Sequence, residues 1–264
     1  MKLITTFGHR SEFEKAAARL AALGLPYETI SPDPGYSRVG APALVLAKET
    51  RLALAARGGD DFICSGWIEY RPPRIAVPAE PPPALEEDIV GEVAIMVLVP
   101  CVADKSRIRF IAHVGGELAQ AMPYLNAERR EASYNPKAET LSFMDRYRLI
   151  TLYPRRIVVA KADDLVDGWR VLEMARRLVG DVWARRASIQ PCRETREKPP
   201  ALEIYKHLPG TNCRTCGQRT CLAFAVMVHE GDLPVTRCRP IFEGDFGHLK
   251  DAILQVCASL ATEL

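Results

Sequence analysis

The chain reads Leu208-Pro-Gly-Thr-Asn-Cys-Arg-Thr-Cys-Gly-Gln-Arg-Thr-Cys-Leu-Ala-Phe-Ala225 late in its 264 residues. This stretch places Cys213, Cys216 and Cys221 close together, and Cys238 follows further along the chain. The resulting pattern is C-x2-C-x4-C-x16-C. Four cysteines in so short a span indicate that this part of the chain is built around a metal centre or a disulfide framework.

An iron–sulfur cluster is the centre that this spacing favours. Each iron of a cubane takes one external ligand, and thiolate is the soft donor that suits it. Three closely spaced cysteines can take three corners, and Cys238 can return to take the fourth. The apolar residues 222–228 predict a helix whose amino end faces the cluster, where its dipole favours a negatively charged centre. Pro209 and Gly210 predict a bend into the site, and Gly217 lets the backbone approach inorganic sulfide. The residues that flank the ligands are basic: Arg214, Arg219, Arg237 and Arg239.

Structural zinc is the alternative for four cysteines. Zinc sites of this kind usually join two C-x2-C pairs, and this chain has one such pair, Cys213 and Cys216. The two longer spacings fit zinc less well than a cluster, and a disulfide framework is less favoured than either. Both metal interpretations stay open on spacing alone.

The segment from Leu208 to Ala225, with Cys238 downstream, resembles a small four-cysteine [4Fe-4S] domain. That domain occurs in the large subunit of the corrinoid iron–sulfur protein and in a subunit of a membrane ferredoxin–NAD oxidoreductase. The resemblance covers about residues 200–245. It implies one low-potential [4Fe-4S] cluster ligated by Cys213, Cys216, Cys221 and Cys238. One departure is visible, since such domains often carry proline directly after the last cysteine and here Arg239 precedes Pro240.

The composition argues against a nucleic-acid-binding protein, and the sequence shows neither a secretory signal nor a membrane span. Apolar residues make up 48% of the chain, charged residues 26%, and the formal net charge is +2. There is no basic run of five residues, so the electrostatic footprint of a nucleic-acid binder is missing. No secretory signal is visible at residues 1–12, and the apolar run 93–99 is too short to span a membrane. We therefore expect a cytoplasmic protein without a membrane span, where clustered cysteines hold a metal.

Proline-rich stretches predict three domains in an α+β / α/β multidomain chain. The stretches are residues 71–84 and 191–200, and both read as polar linkers. They separate a βαβ-type module at 1–70, an α+β domain at 85–190 and a four-cysteine iron–sulfur domain at 200–264.

The first module is predicted from alternating strand and helix signals. Residues 2–7, 26–30 and 43–47 read as strands, the last of them also compatible with a helix start. Ser11 and Glu14 form a capping box for a helix that Gly24 ends. The module resembles sulfur or selenium carrier-like domains, which carry a Cys-Gly pair after the second strand. This chain has Tyr36-Ser-Arg-Val-Gly40 there, without cysteine, so we expect a scaffold or docking module.

The middle domain is predicted as an antiparallel sheet covered by a long helix. A short helix is expected to end before Pro123. Asp163 is expected to cap the long helix, which buries Trp169 and carries Arg176 on its outer side. The predicted strands are 90–99, 107–114, 139–144, 148–153 and 156–161. The small, mainly helical last domain has predicted helices at 202–207, 221–230 and 248–260.

The remaining cysteines have no partner at metal-ligand spacing. Free cysteines are mostly small buried residues, and this is the expectation for Cys101 and Cys257. Cys64 and Cys192 lie nearer turns or linkers, where a redox or second-metal role stays open.

These observations favour an electron carrier over a catalyst. The first hypothesis is a [4Fe-4S] protein that passes single electrons to or from a redox partner in anaerobic-type metabolism. The alternatives are an accessory or maturation factor that serves a client metalloenzyme, and a scaffold in which the cluster is a structural staple. The sequence names neither the partner nor the oligomeric state.

Overall fold

The computed structural model describes residues 1–195 and 200–257. Within them, the strands form two antiparallel sheets, and a mainly helical unit follows at the carboxyl side. The predicted mixed fold is therefore confirmed.

The first sheet has a β-α-β-β-α-β order. Its elements are β1 (Lys2–Thr5), α1 (Arg10–Ala22), β2 (Glu28–Ile30), β3 (Ala43–Ala47), α2 (Lys48–Ala56) and β4 (Ile68–Glu69). The strands lie in the order β2-β3-β1-β4 with antiparallel neighbours. This is the split arrangement of ferredoxin-like folds.

The predicted βαβ unit is corrected in two respects. Strands β1 and β2 run in the same direction but are not neighbours, because β3 lies between them. Almost all of β3 is buried, whereas β2 is largely exposed, so the apolar strand takes the inner position. The predicted capping box is also wrong. Helix α1 begins at Arg10 with His9 as its N-cap and no side-chain cap, and its end at Gly24 in a left-handed conformation agrees with the prediction.

The middle section is a six-stranded antiparallel sheet. Its elements are β5 (Val93–Pro100), β6 (Ile108–Val114), α3 (Met122–Glu128), β7 (Ser133–Asn135), β8 (Thr140–Asp145), β9 (Arg148–Tyr153), β10 (Arg156–Ala162) and α4 (Leu165–Ala184). The strand order is β5-β6-β10-β9-β8-β7. Helices α3 and α4 pack on the sheet through β8 and β10, as an antiparallel sheet with one covered face requires.

Three local predictions in this section are wrong. Pro123 lies in the first turn of α3 rather than after a helix, where its missing N–H costs no hydrogen bond. Asp164, not Asp163, caps α4 and accepts from the Asp167 N–H. Arg176 is buried, not outward, and is paired with Glu173 at 2.9 Å.

The hydrophobic residues form separate cores. The largest core joins one face of the first sheet to the middle section, for example Val45 and Ile68 with Phe110 and Trp169. The proline-rich residues 71–84 carry neither helix nor strand. The domain boundaries drawn from composition stay a prediction.

The carboxyl-side unit has its own core. It comprises α5 (Ala201–Lys206), α6 (Cys221–Glu230), α7 (Arg239–Phe242) and α8 (Lys250–Cys257), with 3-10 turns at Val235–Arg237 and Gly247–Leu249. Another 3-10 turn, Arg186–Ser188, follows α4. The core includes Phe224, Val228 and Ile253. Positions 196–199 of the predicted linker and 258–260 of the predicted last helix lie outside the described residues. Within residues 1–195 and 200–257, none of the helices combines the length and apolar character needed to cross a bilayer.

Candidate metal centre

Four cysteines line one pocket of the carboxyl-side unit. Cys213, Cys216, Cys221 and Cys238 share the walls of a space of about 300 Å³, which includes the part open to solvent. All eight cysteines of the chain lie in the described residues and are free thiols. The tertiary structure thus gathers the four cysteines that the spacing selected.

The four cysteines differ in solvent exposure. Cys213 is exposed and Cys216 is partly exposed, both in the loop before α6. Cys221 is the first residue of α6, and Cys238 directly precedes α7; both are buried. The pocket therefore has a solvent side at Cys213 and an inner side at Cys221 and Cys238.

The loop reaches this geometry through left-handed backbone. Asn212, Arg214 and Gly217 have φ of 51°, 64° and 86°. Among the described residues, and apart from its two chain neighbours, no protein atom lies within 4 Å of a Cβ added at Gly217, so glycine is needed there for its backbone conformation. Its close approach to inorganic sulfide stays a prediction.

Two polar residues that the sequence pattern did not reveal hold the loop against α6. The Cys221 N–H donates to Asn212 Oδ1 at 2.8 Å, and the Ala223 N–H donates to the Thr220 hydroxyl at 3.0 Å. Thr220 is the N-cap of α6. A threonine before an apolar run is a recognisable cap signal, whereas the role of Asn212 depends on a contact nine residues away.

The electrostatics differ between the outer and inner thiols. A hydrogen bond with Thr215 lowers the pKa of Cys213. Burial raises the pKa of Cys238 to about 11, and repulsion from Cys221, Cys216 and Cys213 adds to that rise. The inner thiol is therefore neutral near pH 7 on its own, and it needs a cationic centre to become a thiolate ligand.

The donor set of the pocket consists of four thiols, which is a ligand set that an iron–sulfur cluster takes. Within residues 1–195 and 200–257, no group of three His, Cys, Asp or Glu residues is arranged to hold one metal ion. The four thiols nevertheless border the same pocket. Zinc requires its sulfurs to converge on one point at about 2.3 Å each, whereas a cubane spreads them over four irons. The four thiols of the pocket match an iron–sulfur cluster in donor type and in number.

The other cysteines lie away from this pocket. Cys101 and Cys257 are buried, as predicted. Cys64 and Cys192 are partly exposed, and the Cys192 N–H donates to the Pro123 carbonyl at 2.9 Å. None of these four lines the pocket.

Comparison with known proteins identifies the cysteine segment. Residues 208–240 match a family model described as "Putative Fe-S cluster". The chain is 48% identical over 42 residues to the acetyl-CoA decarbonylase/synthase complex subunit gamma 2 of Methanosarcina mazei, covering 16% of this chain and 9% of the relative. It is 51% identical over 45 residues to a subunit of the ion-translocating oxidoreductase complex of Rhodobacter capsulatus, covering 17% of this chain and 24% of the relative.

These likenesses are local. A third relative is the acetyl-CoA decarbonylase/synthase complex subunit gamma of Methanocaldococcus jannaschii, which is 32% identical over 68 residues, 26% of this chain and 14% of its own length. The chain thus spans a quarter or less of the curated relatives it matches. No solved structure matches the chain. Residues 208–240 thus match a model of an iron–sulfur cluster segment, and the chain is locally similar to short parts of these complex subunits within a larger α+β chain.

Proposed function

We propose that the chain binds one [4Fe-4S] cluster through Cys213, Cys216, Cys221 and Cys238 and passes single electrons to or from a protein partner. The observation that carries the proposal is the shared pocket: four thiols border it, one for each iron of a cubane. With every iron ligated by protein sulfur, no position is left for a substrate, so the role is electron transfer rather than catalysis at iron.

Different cysteines would hold different sides of the cluster. The cluster, when bound, supplies a one-electron redox couple. Cys221 and Cys238 would hold its inner side next to the hydrophobic core, and the dipole of α6, which begins at Cys221, would favour its negative charge. Cys213 lies on the solvent side, where an electron can enter or leave without the partner penetrating the fold.

A protein partner is the second part of the proposal. Two of the relatives are, by their names, subunits of an acetyl-CoA decarbonylase/synthase complex and of an ion-translocating oxidoreductase complex. Subunits of that kind work beside other proteins. Eight free thiols suit a reducing compartment such as the cytoplasm, where we place the protein. The first and middle sections would then position the cluster against that partner.

The test is oxygen-free purification with metal and sulfide analysis. We expect iron and acid-labile sulfide in equal amounts, about four of each per chain, and an EPR signal of a reduced cluster after dithionite. Alanine at any of the four proposed ligands should lower the iron content, whereas Cys64→Ala is a matched control with a partly exposed cysteine outside the pocket. Colourless material that holds zinc or no metal would contradict the proposal.

A further inference from the structure

The segments that carry the four cysteines contain one kind of charge, and Arg214 lines the pocket itself. Residues 208–221 and 235–240 contain four arginines and no acidic residue. The arginines are Arg214, Arg219, Arg237 and Arg239, and all four are exposed. The acidic residues between 201 and 257 lie in other segments, at Glu203, Glu230, Asp232, Glu243, Asp245 and Asp251. The charge of this unit is therefore segregated rather than mixed.

Most of this positive charge is not neutralised within the fold. In the part of the chain that the structure describes, no carboxylate pairs with Arg214, Arg219 or Arg237, while Arg239 is 3.9 Å from Glu243 in a loose, exposed pair. Elsewhere arginines are paired closely, as Arg185 is with Glu128 at 2.7 Å. Unpaired like charges on one surface repel one another, and an anionic partner relieves that repulsion.

Exposed apolar side chains lie on α6, the helix that begins two residues after Arg219. Leu222 directly follows the pocket residue Cys221 and is 45% exposed, and Val226 lies one turn further along α6 and is 42% exposed. Exposed apolar residues close in sequence to unpaired arginines have the composition of a protein docking surface, in which apolar contacts supply affinity and charges supply orientation and rate.

We propose that Arg214, Arg219, Arg237, Leu222 and Val226 form the docking surface for an acidic electron-transfer protein, whose carboxylates surround its own redox centre. We name these five residues the arginine face. The inference rests on the proposed function and adds the chemistry of the partner to it. The overall charge is only +2 and no basic run is present, so a compact acidic protein fits this face better than a nucleic acid does.

The reaction at the arginine face transfers one electron and no atoms. One electron leaves the reduced protein and is taken up by the oxidised one, and no bond is formed or broken. Contact at the arginine face brings the partner to the solvent side of the pocket, where Cys213 is exposed.

The experiment measures electron exchange of the cluster-loaded full chain with an acidic plant-type [2Fe-2S] ferredoxin, mixed in the oxidation states that make transfer downhill. A basic cytochrome c is the contrasting acceptor. We expect the second-order rate constant with ferredoxin to be high at about 20 mM salt and to fall steeply by about 500 mM, because screening removes the attraction. Arg219→Gln with Arg237→Gln should lower the low-salt rate about tenfold.

Two matched controls isolate the surface. Lys105→Gln with Lys137→Gln removes the same net charge from exposed positions outside the unit and should leave the rate nearly unchanged. Leu222→Asn should slow ferredoxin exchange at high salt as well, whereas Leu52→Asn makes the same change at a leucine that is 62% exposed on α2 and should not. Iron content and the EPR signal should stay unchanged in all four variants.

The outcomes separate this inference from the proposed function. If the wild-type chain holds no reducible cluster, the proposed function fails. Two results would show that the arginine face is wrong although the cluster is present and reducible. In the first, both double variants slow electron exchange with ferredoxin equally. In the second, exchange with basic cytochrome c is faster and is equally sensitive to the changes at Arg219 and Arg237.

Discussion

Asn212 connects the cysteine loop to α6 through a single hydrogen bond. Its Oδ1 accepts from the Cys221 N–H at 2.8 Å while its own backbone is left-handed, a conformation that asparagine tolerates better than most residues. We expect Asn212→Ala to weaken cluster retention by about 1 kcal/mol, because both the acceptor and the favoured backbone are lost. The measurement is the rate of iron loss to a chelator without oxygen.

Asn212→Asp is the matched control, since it keeps an acceptor at the same position. It should retain iron nearly as long as the wild type. Equal rates of iron loss for the Asn212→Ala and Asn212→Asp variants would show that the Asn212 hydrogen bond does not stabilise the site.

Cys257 provides a pH prediction because it is a buried thiol outside the pocket. Burial raises its pKa from 9.0 to about 11. An unfolded chain therefore loses this proton at lower pH than the folded chain, and stability falls as pH rises through that interval. The decrease is on the order of 2 kcal/mol for a shift of this size.

The measurement is the urea midpoint of the cluster-loaded chain between about pH 8 and about pH 11. Cys257→Ala removes the titrating group, so its midpoint should fall less steeply over that range. Parallel curves for the two proteins would show that the thiol does not titrate in the folded core.

At the scale of elements, Arg148 joins β9 to the first turn of α4. Arg148 Nε donates to Asp167 Oδ2 at 2.8 Å, and both side chains are almost completely buried. Burial by itself would raise the pKa of Asp167, but hydrogen bonds from the Asp163 N–H, Arg148 and Arg170 offset it and hold the pKa below its usual value. The contribution of this carboxylate is thus present above its ordinary pKa and is lost as pH falls through the lowered one.

We expect Asp167→Asn to destabilise the chain by about 2 kcal/mol, because Arg148 loses its closest charge-assisted hydrogen bonds and keeps only the longer pairs with Asp163 and Asp145. Urea unfolding near neutral pH measures the change. Glu14→Gln removes one partner of the exposed Arg10–Glu14 pair and should cost less than about 0.5 kcal/mol. A comparable small loss in both variants would contradict the role of the buried pair.

At the scale of the whole molecule, separate cores predict separate responses to iron removal. The core of the carboxyl-side unit includes the two inner cysteines, Cys221 and Cys238, whereas the largest core joins the first sheet to the middle section. Hydrogen exchange should therefore speed up in residues 201–257 of the iron-free chain and stay unchanged in β5–β10, because local stability follows local packing.

Asp167→Asn is the reciprocal test of this division, with faster exchange expected in the middle section and unchanged exchange in the iron-loaded residues 201–257. If iron removal loosened both parts equally, the two would unfold as one cooperative unit and the domain boundary at about residue 200 would be wrong.

Local patterns predicted much of the fold and the candidate ligands. Apolar patterning predicted α6 to the residue, from the continuous apolar run 222–228, and most strands of the middle sheet. It missed β7 and α2, and it placed Arg176 outward. The error at Arg176 has a general cause, because charged residues are mostly exposed and are predicted to be so. The burial of Arg176 depends on its ion pair with Glu173.

The sequence by itself determined the four thiols and their spacing, which predict a metal centre and favour an iron–sulfur cluster over zinc, because ligand chemistry depends on residue type and on how few residues separate the donors. Only the tertiary structure decided that β3 lies between β1 and β2, that Asn212 holds the loop, and which side of the pocket faces solvent. These depend on contacts between segments distant in the chain, and their energies arise only when folding brings the segments together.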